Sequence, residues 1–425
     1  MASKSPADTT REQTRPERKT SETDRKTIQE IHSYFDDPTH APELQFANDR
    51  TFYAWQHMSE FKETEQILRA GPISELPERI DPDIGNIVFS VDGTQETVGE
   101  QFDSGVMDAL LVIHGGDIVF EKYKTMRPFD KHNWFSCGKT IAGMMVALLE
   151  HDGEVDVKKS VSDYVPELKD SAWDDVTVEE TMDMATGLDS TEHEVPDART
   201  NPERGWYKWA VSIGLFYDEQ GTNQSPYDVL RSMKRDKPAY TAFEYNSINT
   251  FVLERIVNNV TGKSVAEVFG DRVWRKAGME NDGYIGLTRN GLNMSWGFTS
   301  SGLRDLGRWG TLFTPSWGNI SRERIIPQSV IEKIQTGGRP EIYLEGAIGQ
   351  QFQEGFPDVT GLTNRYQWDV VFPDGDFYKS GVGAQGLYVS PSTDAVVAWF
   401  STGSQDDEPI TAALARAIVQ QLRSE

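Results

Sequence analysis

The stretch that decides the fold reads Trp134-Phe135-Ser136-Cys137-Gly138-Lys139-Thr140-Ile141-Ala142-Gly143-Met144-Met145. Its apolar spacing predicts a helix that opens near Ser136. Residues three apart share a helical face, so the Ser136 hydroxyl and the Lys139 amine are expected to meet across one turn. A lysine held neutral can activate a serine hydroxyl, and a helix N-terminus offers unpaired N–H groups to a developing oxyanion. Because Ser-x-x-Lys is a common tetrapeptide, the interpretation depends on two later stretches.

Composition limits the function classes. The chain has 425 residues and a formal net charge of −25, which argues against nucleic acid and anionic membranes as partners. No apolar run approaches the roughly 20 residues of a membrane span, and no signal peptide is recognisable, so a cytoplasmic location is expected. Cys137 is the single cysteine. It excludes a disulfide framework, and we interpret it as a buried small residue rather than a thiol nucleophile.

The pattern along the chain predicts an α+β fold. Residues 1–26 lack large apolar side chains and indicate a disordered tail, and residues 27–94 form an N-terminal extension. A hairpin is expected around Gly115-Gly116, a mainly helical inserted subdomain over about 155–290, and later strands before a closing helix at 409–422. We therefore expect one domain over 95–425, with helices flanking an antiparallel sheet that is built from its N- and C-terminal parts.

The N-terminal extension and a region rich in aromatic residues carry further predictions. Residues 48–70 show a roughly helical apolar pattern, and residues 190–226 suggest a long loop over a site. Within that loop, the aromatic segment 205–217, with Trp206 and Tyr207, is the candidate pocket for the acyl or leaving group. The extension could cover one side of the domain, act as a lid or mediate a homodimer.

The second stretch that carries chemistry is Tyr245-Asn246-Ser247, which stands just before a predicted helix. A tyrosine there is well placed to share a proton with Ser136 and Lys139. A phenol near a lysine ammonium is biased toward phenolate, and it could act as a base and then pass the proton to the leaving group.

The third stretch is Lys379-Ser380-Gly381, which opens a glycine-rich edge strand. Such a strand lets a substrate backbone lie close and exposes N–H groups. For Lys379, the alternative to a substrate contact is a lysine on the strand that faces solvent.

In this order, the three stretches resemble those of the serine β-lactamase and penicillin-binding-protein family. The resemblance extends to residues 184–189, 302–310 and 381–391, and it covers roughly residues 95–425. The chain is most similar to the class C β-lactamase-related hydrolases, which include family VIII carboxylesterases and 6-aminohexanoate-dimer hydrolases.

The resemblance implies a role for each matching residue. Ser136 would be the acyl-accepting nucleophile, Lys139 its base, and Tyr245 the proton relay. The backbone N–H groups of Ser136 and Val382 would form the oxyanion hole. Ser247, Lys379 and Gly381 would contribute to substrate binding. No cofactor or metal is implied, and the partner would be a small ester or amide.

Two positions depart from the family pattern. Ser247 stands where many relatives have asparagine, which argues against efficient β-lactam turnover. At position 379 this chain resembles true lactamases in having a lysine, whereas the esterase and 6-aminohexanoate branches often have histidine or a small residue there. A cation at this position could favour a substrate that carries a carboxylate.

Competing enzyme classes fit less well. An α/β-hydrolase would need a Gly-x-Ser-x-Gly elbow and a late histidine, but no histidine follows His193. A zinc hydrolase would need a motif such as His-Glu-x-x-His, which is absent. The alternatives that remain are β-lactamase or penicillin-binding activity and a non-catalytic binding module on the same fold.

Overall fold

The computed structural model describes residues 25–91 and 93–424. Nearly all of the predicted tail, residues 1–26, lies outside these ranges. The α-helices of the described residues are α1 Arg25–Phe35, α2 Thr51–Ala54, α3 Val98–Ser104, α4 Lys139–His151, α5 Val161–Tyr164, α6 Val178–Met182, α7 Gly205–Ser212, α8 Pro226–Ser232, α9 Ser247–Thr261, α10 Val265–Phe269, α11 Leu303–Thr311, α12 Gln328–Thr336, α13 Pro340–Tyr343, α14 Ala347–Gly355 and α15 Glu408–Ser424. The strands are β1 Thr64–Ile67, β2 Val88–Val91, β3 Thr94–Thr97, β4 Met107–His114, β5 Asp117–Tyr123, β6 His132–Asn133, β7 Gly283–Gly286, β8 Thr299–Ser301, β9 Thr363–Arg365, β10 Trp368–Val371, β11 Phe377–Gly381, β12 Gln385–Ser390 and β13 Ala395–Ser401.

A seven-stranded antiparallel sheet forms the centre of the fold, in the order β5-β4-β13-β12-β11-β10-β9. The predicted hairpin is present, because Gly115 and Gly116 have positive φ angles of 58° and 81° and join β4 to β5. The other five strands come from the C-terminal part of the chain. The α+β class and the sheet built from two distant parts of the sequence are therefore confirmed.

The two faces of this sheet support two apolar cores. Alternate side chains of a strand point to opposite faces, so Leu111 and Ile113 of β4 join one core while Leu110 and Val112 join the other. The first core contains α4, α9 and α11, and the second contains α15. The closing helix predicted at 409–422 is α15, and its buried stripe packs on the second face.

The expectation of a helical pattern over 48–70 is wrong for its second half. Only α2 and a short 3₁₀ turn, Met58–Glu60, are helical, and they are followed by β1. Strand β1 pairs with β7 in a four-stranded sheet, β1-β7-β8-β6. Backbone pairing with a distant strand thus overrides the local apolar spacing. The extension is packed into the domain through this strand.

The region 190–226 also differs from the expected loop, because it contains α7. Trp206, Trp209 and Ala210 lie on one buried face of this helix. Their i, i+3, i+4 spacing is the usual helical pattern, but it covers too few turns to stand out from the aromatic residues around it. Among the described residues, no helix is long and apolar enough to cross a membrane.

Close packing of α4 against the β9–β10 turn yields a test of the fold. A Cβ at Gly143 would lie 2.6 Å from the Tyr366 carbonyl oxygen and 2.9 Å from the Gln367 side chain. Gly143→Ala should therefore lower the free energy of unfolding by about 1–3 kcal/mol. The higher helix propensity of alanine offsets up to about 1 kcal/mol of this loss. Urea unfolding followed by tryptophan fluorescence measures the change.

The matched control is Gly318→Ala, because a Cβ there would meet no atom within 4 Å. We expect this variant to stay within about 0.5 kcal/mol of the parent protein. Equal stability of the two variants would contradict the close approach of α4 to the turn.

Candidate active site

Ser136 lies in a short 3₁₀ turn, Phe135–Gly138, which leads directly into α4. Phe135 has a φ of 47°, a left-handed conformation that a bulky residue rarely adopts. The preceding residue is anchored, since the Trp134 N–H donates to the Thr299 carbonyl at 2.6 Å. This sharp, strained entry leaves Ser136 half-buried in the wall of a cavity, at the N-terminus of a buried helix.

Lys139, the predicted base, lies beside the predicted nucleophile Ser136. Its Nζ lies 3.3 Å from Ser136 Oγ, 3.0 Å from Ser247 Oγ and 3.3 Å from the Trp296 carbonyl oxygen. The side chain is buried, with 1% of its surface exposed. Burial disfavours an ammonium and lowers the pKa of Lys139 to about 7. A large share of the lysine is therefore neutral near pH 7 and can accept a proton.

Neighbouring charges modify this effect in both directions. Glu192, Asp369 and Glu254 raise the pKa of Lys139, whereas Lys379 lowers it. All of these contributions are smaller than that of burial. The basicity of Lys139 is therefore set chiefly by the exclusion of water from its amine.

Tyr245 is placed beside both lysines, at the entrance to α9. Its ring centroid is 5.0 Å from Lys139 Nζ, and its hydroxyl oxygen is 3.5 Å from Lys379 Nζ. Burial raises its pKa well above the ordinary value, although a hydrogen bond with Ser136 lowers it in part. The predicted bias toward phenolate is thus wrong, because desolvation and the charges of Asp369 and Glu192 together raise the pKa of Tyr245. Tyr245 is a neutral phenol that can donate its proton.

Ser247 is held in place by Glu192, a residue that the sequence did not single out. The Ser247 N–H donates to Glu192 Oε2 at 2.7 Å, and the Asn246 side chain caps the same helix end. Burial raises the pKa of Glu192, but His193 and the charge of Lys139 lower it overall, so the carboxylate is ionised. Glu192 comes from an irregular segment, and no local pattern marks it.

Lys379 is fully buried, so the alternative of a solvent-facing strand lysine is wrong. Its Nζ is 2.6 Å and 2.7 Å from the two carboxylate oxygens of Asp369, and the Ser380 hydroxyl donates to the same carboxylate at 2.9 Å. The charge of Lys379 is therefore neutralised within the protein. It is not among the residues that line the cavity, whereas Ser380 is.

The end of β11 approaches the serine turn closely. A Cβ at Gly381 would lie 3.2 Å from the Ser136 backbone nitrogen and 2.7 Å from the Trp134 carbonyl oxygen. Only glycine allows this approach without displacing backbone atoms. Val382 follows and is 38% exposed. The structure thus brings the Ser136 and Val382 segments together at the cavity.

The cavity has a volume of about 330 Å³ and contains all three predicted catalytic residues. Trp206 lines it, but Tyr207 does not, because its ring packs on Phe216 with the centroids 5.1 Å apart. Further lining residues that sequence reasoning missed include Gln45, Phe46, Glu192, His193, Arg199, Trp296 and Glu408.

Glu408 is the first residue of α15 and stands at the Ser380 side of the cavity. Burial raises its pKa to about 7, while a hydrogen bond with Ser380 and the charge of Lys379 lower it. Its Oε1 atom is buried and has no hydrogen-bond partner in the described part of the chain. In the sequence, Glu408-Pro409 is an ordinary helix start, which is why this carboxyl was not a candidate.

The surroundings of Cys137 and of the other possible metal ligands bear on the thiol and metal alternatives. Cys137 is fully buried, and burial raises the pKa of its thiol, which disfavours a thiolate nucleophile. Within residues 25–91 and 93–424, no group of three or more His, Cys, Asp or Glu side chains is arranged to hold a metal ion.

Known proteins share this architecture. The β-lactamase family model matches residues 101–421. The 6-aminohexanoate-dimer hydrolase of Paenarthrobacter ureafaciens is 28% identical over 309 residues, which cover 72% of this chain and 76% of that protein. Among solved structures, one named "putative 6-aminohexanoate-dimer hydrolase from Bacillus anthracis" has a TM-score of 0.74 at 22% identity, covering 89% of this chain and 95% of the other. A class C β-lactamase variant has a TM-score of 0.53 at 14% identity, covering 74% and 91%.

At these identities, the solved structures establish the fold, which is β-lactamase-like. The family match spans 101–421 of 425 residues and includes each catalytic candidate. The chain therefore belongs to the β-lactamase family.

Proposed function

We propose that this protein is a serine hydrolase that cleaves a small ester or linear amide through an acyl-enzyme on Ser136. The observation that carries the proposal is the 3.3 Å distance between Lys139 Nζ and Ser136 Oγ in a buried setting. Burial lowers the pKa of Lys139 to about 7, so a substantial fraction of the lysine is neutral near pH 7, and this is the protonation state that a general base requires.

The proposed reaction follows from the arrangement of these groups. Lys139 takes the hydroxyl proton as Ser136 Oγ attacks the carbonyl carbon. The backbone N–H groups of Ser136 and Val382 stabilise the oxyanion of the tetrahedral intermediate. Tyr245 gives its proton to the leaving alcohol or amine and recovers one from Lys139. A water molecule then hydrolyses the acyl-enzyme by the same proton route in reverse.

The names of the relatives favour a linear amide as one substrate, since two of them are called 6-aminohexanoate-dimer hydrolases. Ester hydrolysis is compatible with the same acyl-enzyme. β-Lactamase or penicillin-binding activity is the second candidate, and class C structural similarity favours it, while Ser247 in place of asparagine argues against it. A cytoplasmic location remains an expectation.

Ser136→Ala tests the nucleophile. The variant should lose labelling by a fluorophosphonate, and its kcat should fall by about 10³-fold or more because no covalent intermediate can form. Hydrolysis is measured with p-nitrophenyl acetate and butyrate, the linear 6-aminohexanoate dimer and nitrocefin. We expect turnover of the esters or the dimer, and little of nitrocefin.

Cys137→Ala is the matched control, because it removes the adjacent nucleophilic atom from a buried position. It should keep both labelling and turnover. An unlabelled parent protein would support the non-catalytic alternative, and full activity in Ser136→Ala would exclude the proposed mechanism.

The pKa of Lys139 predicts the pH dependence. A base must be unprotonated, so kcat/KM should rise about tenfold per pH unit below about 7 and level off above it. Lys139→Arg should be inactive up to pH 9, because a guanidinium stays protonated.

Glu408 and Glu254 also have pKa values raised to about 7 by burial, so the assignment needs a control. Glu408→Gln and Glu254→Gln should each retain the inflection near pH 7. If the inflection disappears in one of these variants, the titrating group is that glutamate rather than Lys139.

Tyr245→Phe tests the proton relay. The loss should depend on the leaving group, because p-nitrophenolate departs without a proton whereas an amine does not. We expect kcat for the linear amide to fall by about 10²–10⁴-fold, and that for p-nitrophenyl acetate to fall much less. An equal loss for both substrates would assign Tyr245 to a different step.

A further inference from the structure

One wall of the catalytic cavity comes from outside the region that the family model matches. Gln45 and Phe46 belong to the N-terminal extension, yet both line the cavity that contains Ser136. They stand next to Arg199 and Trp206, which also line it. The N-terminal extension therefore contributes side chains to the active site that the family-matched region does not supply.

Arg199 has no carboxylate partner in the part of the chain that the structure describes. Its Nη2 donates to Gln45 Oε1 at 3.3 Å, and its Cζ lies 5.3 Å from the centroid of the Trp206 ring. Within the described residues, the Arg199 guanidinium forms no ion pair with a carboxylate. Glu192 senses the charge of Arg199, but its oxygens face the Ser247 N–H and His193. Among the described residues, the half-buried guanidinium thus donates only to Gln45, and its other N–H groups can bind a ligand in the cavity.

Two buried donors belong to the residues that contact Arg199. Gln45 Nε2 and Trp206 Nε1 have no hydrogen-bond partner among residues 25–91 and 93–424. Buried N–H groups are nearly always satisfied, so two such atoms on the residues that contact the Arg199 guanidinium are placed to serve an acceptor in the cavity. The three groups share a positive or donor character, which selects an anionic acceptor.

We propose that Arg199, Gln45 and Trp206 form a subsite for a substrate carboxylate. A planar guanidinium can hold a carboxylate through two charge-assisted hydrogen bonds, and the adjacent N–H groups can bind its remaining lone pairs. The proposal rests on the hydrolase function of the same cavity, and it narrows the substrate class to esters or amides with a terminal carboxylate. It also moves carboxylate recognition away from Lys379, whose charge Asp369 neutralises.

Binding to the Ser136→Ala protein tests the subsite without any turnover. The probes for isothermal titration calorimetry are 6-acetamidohexanoate and its uncharged counterpart N-hexylacetamide. We expect the acid to bind about tenfold or more tightly than the neutral amide. Adding Arg199→Gln should remove this difference in affinity. Adding Trp206→Phe, which keeps an aromatic ring but lacks the N–H, should reduce it.

The matched control is Arg204→Gln, which removes an equal charge from an exposed arginine that is paired with Asp197. It should leave the preference for the acid intact. Thermal melts establish that each variant is folded.

Two outcomes would overturn the subsite: equal or undetectable binding of both probes at millimolar concentration, or a preference for the acid that survives Arg199→Gln. Neither outcome bears on the nucleophile, because fluorophosphonate labelling of the parent protein tests that separately.

Discussion

The active site depends on the burial of a single amine. Lys139 Nζ is enclosed where the serine turn, the start of α9 and the Trp296 backbone meet, and each of them supplies one oxygen within 3.3 Å. Neutral hydrogen-bond partners can orient an amine but compensate a charge poorly, so the protonated form is disfavoured. Any packing change that admits water would raise the pKa of Lys139 and weaken it as a base at neutral pH. The packing that keeps water away from the amine is therefore also what sets the basicity of Lys139.

The N-terminal extension supports the same site from outside the family-matched region. Trp55 is fully buried, with its ring centroid 4.6 Å from that of Phe135, and its indole N–H donates to the Leu44 carbonyl at 2.8 Å. Its ring also contacts the turn at Gly383, beside Val382. One side chain thus braces both segments whose N–H groups are proposed to stabilise the oxyanion. The same anchor holds the chain that leads to Gln45 at the cavity.

Sequence reasoning succeeded where the cause is local. The hairpin at Gly115-Gly116 and the meeting of Ser136 with Lys139 follow from turn chemistry and helical spacing. It failed where the cause is a distant contact. β1 is a strand because β7 pairs with it, and Glu192 belongs to the site because it accepts a hydrogen bond from the Ser247 N–H at the start of α9. The protonation of Tyr245 was missed for the same reason, since burial is a property of the whole fold.

The pair formed by Lys379 and Asp369 explains why burial, rather than charge repulsion, dominates at Lys139. An isolated ammonium so near would strongly disfavour a second one, but a carboxylate at 2.6 Å turns the pair into a dipole, whose field falls off faster with distance. The contributions of the two residues to the pKa of Lys139 accordingly oppose each other. Lys379 can then stay beside the Tyr245 hydroxyl as a hydrogen-bond donor without suppressing the basicity of Lys139. Because Asp369 neutralises Lys379, this lysine can donate a hydrogen bond to Tyr245 without lowering the pKa of Lys139 as far as an unpaired cation would.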